Sequence, residues 1–467
     1  MSQPSAPVVA QPGTDRRRGR RAFAAFLTSE VVSTTGTRMS MIAVPWFVLV
    51  TSGSPALTGA VAFAETLPYV LVVGLGGPIV DRFGARRVAV LSDAVAALLV
   101  GAIPVLHMTG HLPVPALVAL VASLGLVRGA GAATHVLLPG VAELAGTPIE
   151  RATGLGDGMN RVAGMVGVPL AGVLMAVWSA PAVLLIDAAT FVVAGVLISL
   201  FVPRAAEPPR SERPEGASAV GHYVTELREG FAFLRSQRLL VAIAAMILVT
   251  NLLDQAYSAV LVPVWVRDTL DSPLGLGLIG GVFGVGAVAG SALFAWLGPR
   301  LPRRQSFAWG FLVGGSARFF VLALAVTLPP VLVVSFVAGL GVGAINPALA
   351  STEFELTPRH LQARVVGALG ALAWAGIPLG ALLGGLMVEA MGLTATLVVL
   401  GAAYLLATLA PFVFPVWRGM DRPPAADAAD GSDGEQPGAA DAPALDEEAL
   451  EVRSVEESAG AAVSPRP

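Results

Sequence analysis

Gly77-Pro78-Ile79-Val80-Asp81-Arg82-Phe83-Gly84-Ala85-Arg86-Arg87 is a charged interruption between two apolar runs. Spans are expected on either side of it, near 56–80 and 88–108. Each is long enough for a membrane helix, which needs roughly 20 mostly apolar residues. Gly77 lets two helices approach closely, and Gly84 permits a tight turn. Arg82, Arg86 and Arg87 would hold the turn on one side of a bilayer. The stretch therefore reads as the bend of a membrane-embedded helical hairpin.

The rest of the chain extends that pattern. Of 467 residues, 55% are hydrophobic and only 13% charged, against roughly 25% charged in a soluble domain, and the mean hydropathy is +0.75. Twelve spans are expected, near 22–50, 56–80, 88–108, 114–138, 153–178, 181–202, 239–264, 274–297, 306–327, 329–350, 365–389 and 393–416. The fold class is thus an all-α polytopic membrane protein. The polar start Met1–Thr14 and the length of the first apolar run argue against a cleavable signal. There is no cysteine, which excludes disulfides and thiolate metal sites. All 29 basic residues are arginine, so a Walker A loop, which needs a lysine, is excluded as well. With no metal, nucleophile or phosphate motif, the chain does not read as an enzyme. No cofactor and no nucleic-acid partner are expected.

The connections alternate in arginine content. Arg16, Arg17, Arg18, Arg20 and Arg21 precede the first span, and Arg300, Arg303 and Arg304 follow the eighth. Thr51–Pro55, His107–Pro115, Trp178–Pro181 and Leu328–Pro330 carry none, and the one external exception is Arg267, accompanied by Asp268 and Asp271. The positive-inside rule then places both termini in the cytoplasm. Residues 1–21 form a basic N-terminal segment, 22–203 a first six-helix bundle, 204–238 a linker, 239–417 a second six-helix bundle and 418–467 an acidic tail expected to be disordered. Within the linker, Val224, Leu227, Phe231 and Leu234 fall at helical spacing, which predicts an amphipathic helix on the cytoplasmic surface.

A shift of 212 residues aligns the two halves. Gly129, Gly131 and Ala132 fall on Gly341, Gly343 and Ala344; Glu143-Leu144 falls on Glu355-Leu356; Gly164, Gly172 and Leu174-Met175 fall on Gly376, Gly384 and Leu386-Met387. Biased Ala/Gly composition accounts for chance apolar similarity, but less well for the matched loop. Two pseudo-symmetric six-helix bundles in parallel repeat are the expected architecture, an arrangement that resembles major facilitator halves, which implies a substrate site at the midplane between them.

The Gly77–Arg87 stretch resembles the signature loop of the major facilitator superfamily in both sequence and position, although Ala85 stands where a basic residue is usual. The resemblance implies a gating loop of Gly77, Asp81, Arg82, Gly84, Arg86 and Arg87. Asp81 would cap the start of the eleventh helix near Arg364, which suits the positive end of a helix dipole. The bland alternative makes the arginines topology anchors only. Val44-Pro45-Trp46, Leu138-Pro139, Asp187-Ala188-Ala189-Thr190-Phe191, Leu227-Arg228-Glu229-Gly230-Phe231 and Asn346-Pro347 resemble the branch of exporters related to enterobactin and macrolide efflux proteins. Gly164, Gly167, Pro169 and Gly172 look like a degraded antiporter motif of drug exporters. Plain helix packing by these residues, and by Gly376, Gly380 and Gly384, is an equally good account.

Charges inside spans are functional candidates by default, because they are expensive there. Glu30, Ser33, Thr34, Thr37 and Arg38 form a stripe on the first helix, and Asn251, Asp254, Gln255 and Ser258 form its counterpart on the seventh. Thr34, Arg38, Arg128, Asn251, Gln255 and Asn346 are candidate cavity residues. Glu30, Glu65 and Asp254 are candidate proton carriers, with a fixed ion pair as the alternative for Glu30 and Glu65. Asp93 and Asp187 read as pairing or capping groups, and Arg161 and Arg318 as neutralising ones. His107 and His111 have a metal-like spacing but read as an ordinary loop. The resemblance implies a secondary transporter in the cell (inner or plasma) membrane. Its substrate would be a lipophilic or amphipathic small molecule, its coupling ion the proton, its only other partner membrane lipid, and its working form a monomer. The alternatives are an importer of a polar metabolite or a transport-inactive sensor.

Overall fold

A computed structural model of the protein describes residues 12–207 and 219–421; within these, the side chains of residues 74–78 and of Asp81, among others, lie outside the described residues. All regular structure among the described residues is helical. In chain order it comprises α1 (Pro12–Ser52), α2 (Pro55–Phe83), α3 (Ala85–Met108), α4 (Val114–Gly131), α5 (Leu138–Ala145), α6 (Ile149–Val177) and α7 (Ala180–Phe201). Then follow α8 (Ala219–Ser236), α9 (Arg238–Ala256), α10 (Val262–Leu270), α11 (Leu274–Leu297), α12 (Arg303–Gly314), α13 (Ser316–Leu324), α14 (Leu328–Val342), α15 (Ile345–Leu356), α16 (Gln362–Met391) and α17 (Leu393–Val413).

Several of these join into longer rods, so that 11 described stretches are long and apolar enough to cross a membrane. The helix α1, 41 residues long, is not one of the 11, because its middle carries the stripe from Glu30 to Arg38. It begins at Pro12 rather than near residue 22, since nothing from Arg16 to Arg21 breaks a helix. The fourth rod continues to Ala145 instead of ending near 138: a 3-10 turn at Ala132–Leu137 redirects it, and Pro139 sits in the first turn of α5, where its missing N–H costs no hydrogen bond. The seventh rod passes from α9 to α10 through a π-helical turn at Tyr257–Leu261. The ninth is broken between α12 and α13 at Gly315, where a Cβ would lie 1.7 Å from the Tyr404 ring.

Helices of each half pack chiefly on one another: α1 on α7 and α6, α2 on α4 and α3 on α7; then α9 on α16, α11 on α14 and α13 on α17. The main pairs that join the halves are α2 with α16 and α6 with α11. Both approach closely at the arginine-poor end. A Cβ on Gly59 would lie 2.3 Å from Ala381 O, and one on Gly172 2.6 Å from Gly277 Cα, so the backbones meet only because side chains are missing. The pairing of α2 with α16 is antiparallel and regular. Glu389 faces Ser54 and Ala56, Ala381 and Gly385 face Gly59, and Trp374 faces Tyr69.

The predicted linker helix is α8, and protein covers its C-terminal part: Leu234 is buried with Leu239, Leu240, Phe307 and Trp417. Gly230 presses on the backbone of Arg364 in α16, whose guanidinium donates to Glu229.

Candidate functional site

Between the middle of the bundle and its arginine-rich end lies a cavity of about 500 Å³. Its wall is assembled mainly from α1, α2, α3, α4 and α7, with Gln255, Ala259, Trp374 and Ile377 closing it from the second half. Thr34 and Arg38 of the α1 stripe border it, as do Arg128 and Gln255. The carboxylates Glu30 and Glu65 do so too. Asn251 does not: its side-chain amide donates to Ala373 O at 2.8 Å and ties α9 to α16. Asn346 sits exposed on α15, away from this cavity.

A buried charge network forms one wall. Arg128 Nη1 donates to Glu65 Oε1 at 2.6 Å, and Nη2 to Asp187 Oδ2 at 3.0 Å. The three side chains are 9%, 13% and 0% exposed. Ser40 of α1 donates a further hydrogen bond to Asp187 Oδ2, and Thr190 Oγ1 contacts Asp187 Oδ1 at 3.2 Å. The Phe191 ring lies 5.5 Å from the guanidinium carbon. Two glycines make this geometry: a Cβ on Gly125 would lie 2.0 Å from Glu65 O, and one on Gly129 2.9 Å from Tyr69 O. The backbones of α4 and α2 therefore touch, and Arg128 reaches Glu65 directly. Arg128 Nε is buried without a hydrogen-bond partner among the described residues.

The other acids occupy separate places. Glu30 lies 3.5 Å from His135 Nδ1, and Asp93 also lines the cavity. Asp254 accepts from Arg318 Nη2 at 2.5 Å. That guanidinium is enclosed by Tyr257, Phe283 and Tyr404, with ring centroids 4.9, 5.5 and 6.0 Å away. This pair does not border the cavity. His107 packs edge-on against Phe47 at 4.8 Å, and no cluster fit to hold a metal occurs among the described residues.

The side chains of Gly77 and Asp81 lie outside the described residues. Around them, Gly84 has φ +85°, a conformation that favours glycine. Arg86 Nε donates to Val202 O at 2.6 Å and Nη2 to Ser199 O at 2.5 Å, so it caps the C-terminus of α7 and complements its dipole. Arg82 and Arg87 are exposed. On α6, Gly167 faces the Arg38 stem and Gly164 its Nε, while Pro169 and Gly172 face Gly277. On α16, Gly376, Gly380 and Gly384 receive Leu248, Leu252 and Ala256 of α9.

Among the cavity residues that escaped sequence reading are His135, Tyr69 and Trp374. His135 lies in the 3-10 turn after α4. Tyr69 and Trp374 stack across the two halves with ring centroids 6.0 Å apart and planes 13° from parallel. An aromatic residue inside an apolar helix carries no sequence mark that separates it from core.

A bundle of apolar rods in two joined halves, enclosing a cavity with buried charge in its wall, defines a multi-pass membrane carrier rather than an enzyme. The profile of the Major Facilitator Superfamily matches residues 26–259 and 244–451. The chain belongs to the major facilitator superfamily. It is 30% identical over 408 residues to the multidrug efflux pump Tap of Mycobacterium tuberculosis, covering 86% of this chain and 95% of that one. It is 29% identical over 413 residues to Tap of Mycolicibacterium fortuitum, covering 87% and 98%. Among solved structures, the nucleoside transporter NupG superposes with a TM-score of 0.65 at 14% identity, covering 84% of this chain and 99% of that one. A bacterial homologue of the lysosomal transporter Spinster gives 0.61 at 12%, covering 88% and 96%. These likenesses share the fold.

Proposed function

We propose that the protein exports a lipophilic or amphipathic small molecule from the cytoplasm by alternating access, driven by inward return of protons. Both termini and the arginine-rich end face the cytoplasm, so the cavity is open inward and the glycine seams close the outer side. Residues 22–203 and 239–417 are the two rocking bundles, 204–238 the linker and 418–467 a tail not required for transport. The monomer is the working unit. The names of the relatives support export.

The observation that carries the reading is the cavity itself. Its volume is that of a small-molecule site, and its wall sets aromatic and aliphatic surface beside buried carboxylates. Glu65 is the first candidate for coupling and Glu30 the second, because both border the cavity; Asp254 is third. When Glu65 takes a proton it releases Arg128, which keeps Asp187. When it loses the proton the pair re-forms. Return of one proton yields about 2.3 kcal/mol per 100 mV of membrane potential. Asp81 is the inner gate. Continuing the antiparallel pairing of α2 and α16 brings residue 81 to the first turn of α16 at Gln362. Thr34, Arg38, Arg128 and Gln255 are the polar contacts for substrate.

The test is a toxicity and efflux panel in a pump-deficient host, with and without an uncoupler. Expression should lower accumulation of lipophilic compounds, and the uncoupler should abolish that effect. Unchanged accumulation across the panel, or uptake in place of efflux, overturns the reading.

A further inference from the structure

Tyr69 and Trp374 mark the place where seam becomes cavity. Toward the arginine-poor end, α2 and α16 meet backbone to backbone at Gly59 and Ala381. One helical stretch further along, the same two helices present aromatic rings, and both rings border the cavity. Trp374 keeps 39% of its surface exposed although it lies midway along a spanning helix. Aromatic planes held near parallel gain from a further flat ring laid on them, because stacked π faces are favoured in offset geometry.

We propose that Tyr69 and Trp374 form a stacking subsite that makes the protein select planar polycyclic aromatic substrates over aliphatic ones of equal charge. This rests on the export reading for its biological meaning, but the subsite is a binding property in its own right. With centroids 6.0 Å apart, the ring planes are too close for a flat guest between them, which needs about 7 Å, twice the carbon contact distance of roughly 3.5 Å. The guest therefore covers the open indole face, or enters as the two halves part by upwards of about 1 Å. Glu65 lies one helical turn from Tyr69 on α2, and Gly125 and Gly129 of α4 press on the backbone at both residues. The ring of the substrate and the Glu65–Arg128 pair thus act on the same turn of the same helix.

The experiment compares two quaternary-nitrogen cations, planar ethidium and flexible dodecyltrimethylammonium. Their binding to purified full-length protein in nanodiscs is measured by titration calorimetry. Wild type should bind ethidium, and Trp374→Ala and Tyr69→Leu should each weaken that binding by about tenfold, with the alkyl cation changed less than about twofold. Trp374→Phe, which keeps a ring and guards against a folding artefact, should retain most of the ethidium affinity. Equal losses for both probes, no loss for ethidium, or no ethidium binding by wild type overturns the subsite. Because binding is read without turnover, failure to export in cells would sink the export reading and leave this result standing.

Discussion

Glu389, near the end of α16, accepts hydrogen bonds from the Ser54 hydroxyl at 3.3 Å and from the Ala56 N–H at 3.4 Å, so that it stands over the first turn of α2. A carboxylate there is favoured by the helix dipole by roughly 0.3–1 kcal/mol. In the orientation proposed above it would act as an outer latch, mirrored by the place proposed for Asp81 at the other end of the same two helices. Replacing it with alanine should loosen the outer seam and raise the outward-open population about two- to fivefold. The chain has no native cysteine, so a single cysteine at Thr66 reports on this without background. Its labelling by an impermeant maleimide added from outside should accelerate in Glu389→Ala. An unchanged rate removes the latch.

Arg128 is the sole described cation in contact with Glu65 and Asp187. Arg128→Ala leaves two buried carboxylates without it and should cost roughly 3–5 kcal/mol of stability. Thermal melts in detergent should show a clear fall for Arg128→Ala and a smaller one for the double variant Arg128→Ala with Asp187→Asn. Equal melting of wild type and Arg128→Ala would mean the network is dispensable.

Glu65→Gln and Glu30→Gln test coupling. A glutamine mimics the protonated form, so uphill efflux driven by an imposed pH gradient in proteoliposomes should stop, whereas downhill movement of substrate survives. A proton drives the cycle only through unequal affinity for its two states, and glutamine removes that inequality. If both variants concentrate substrate as wild type does, neither residue couples transport, and Asp254 is examined next.

The gate proposed at Asp81 is tested by Asp81→Asn. A neutral amide caps a helix N-terminus less well than a carboxylate, so transport should fall severely at normal membrane abundance. Transport kinetics matching wild type would leave Arg82, Arg86 and Arg87 as topology anchors alone.

What the sequence revealed and what it withheld divide along physical lines. Hydrocarbon forbids unpaired backbone and penalises charge, so the arginine-bearing turns, the Gly84 bend and the polar face through Thr34 and Arg38 were all visible in one dimension. Partnership was not. Arg128 was singled out as unusual, but nothing in its neighbourhood named Glu65 and Asp187 as its acceptors. Asn251 looked like a cavity residue because its spacing matched the α1 stripe, yet its helix turns it toward Ala373 O. The apolar side of α8 showed period without showing its cover, since lipid and protein demand the same residues. Tyr69 and Trp374 gain meaning only from each other, across halves far apart in the chain.

The cavity takes only Gln255, Ala259, Trp374 and Ile377 from beyond the linker among its described wall residues. Two halves that still share glycines at matching positions have thus parted in employment, one shaping the chamber and the other bracing it. Selection for a new spectrum of exported compounds would therefore accumulate its changes in α1–α4 and α7, where a side chain can vary at the chamber wall. On α16 the glycines Gly376, Gly380 and Gly384, which sit against α9, and Gly385, which sits against α2, would resist change. One half of the chain would then vary while the other holds still.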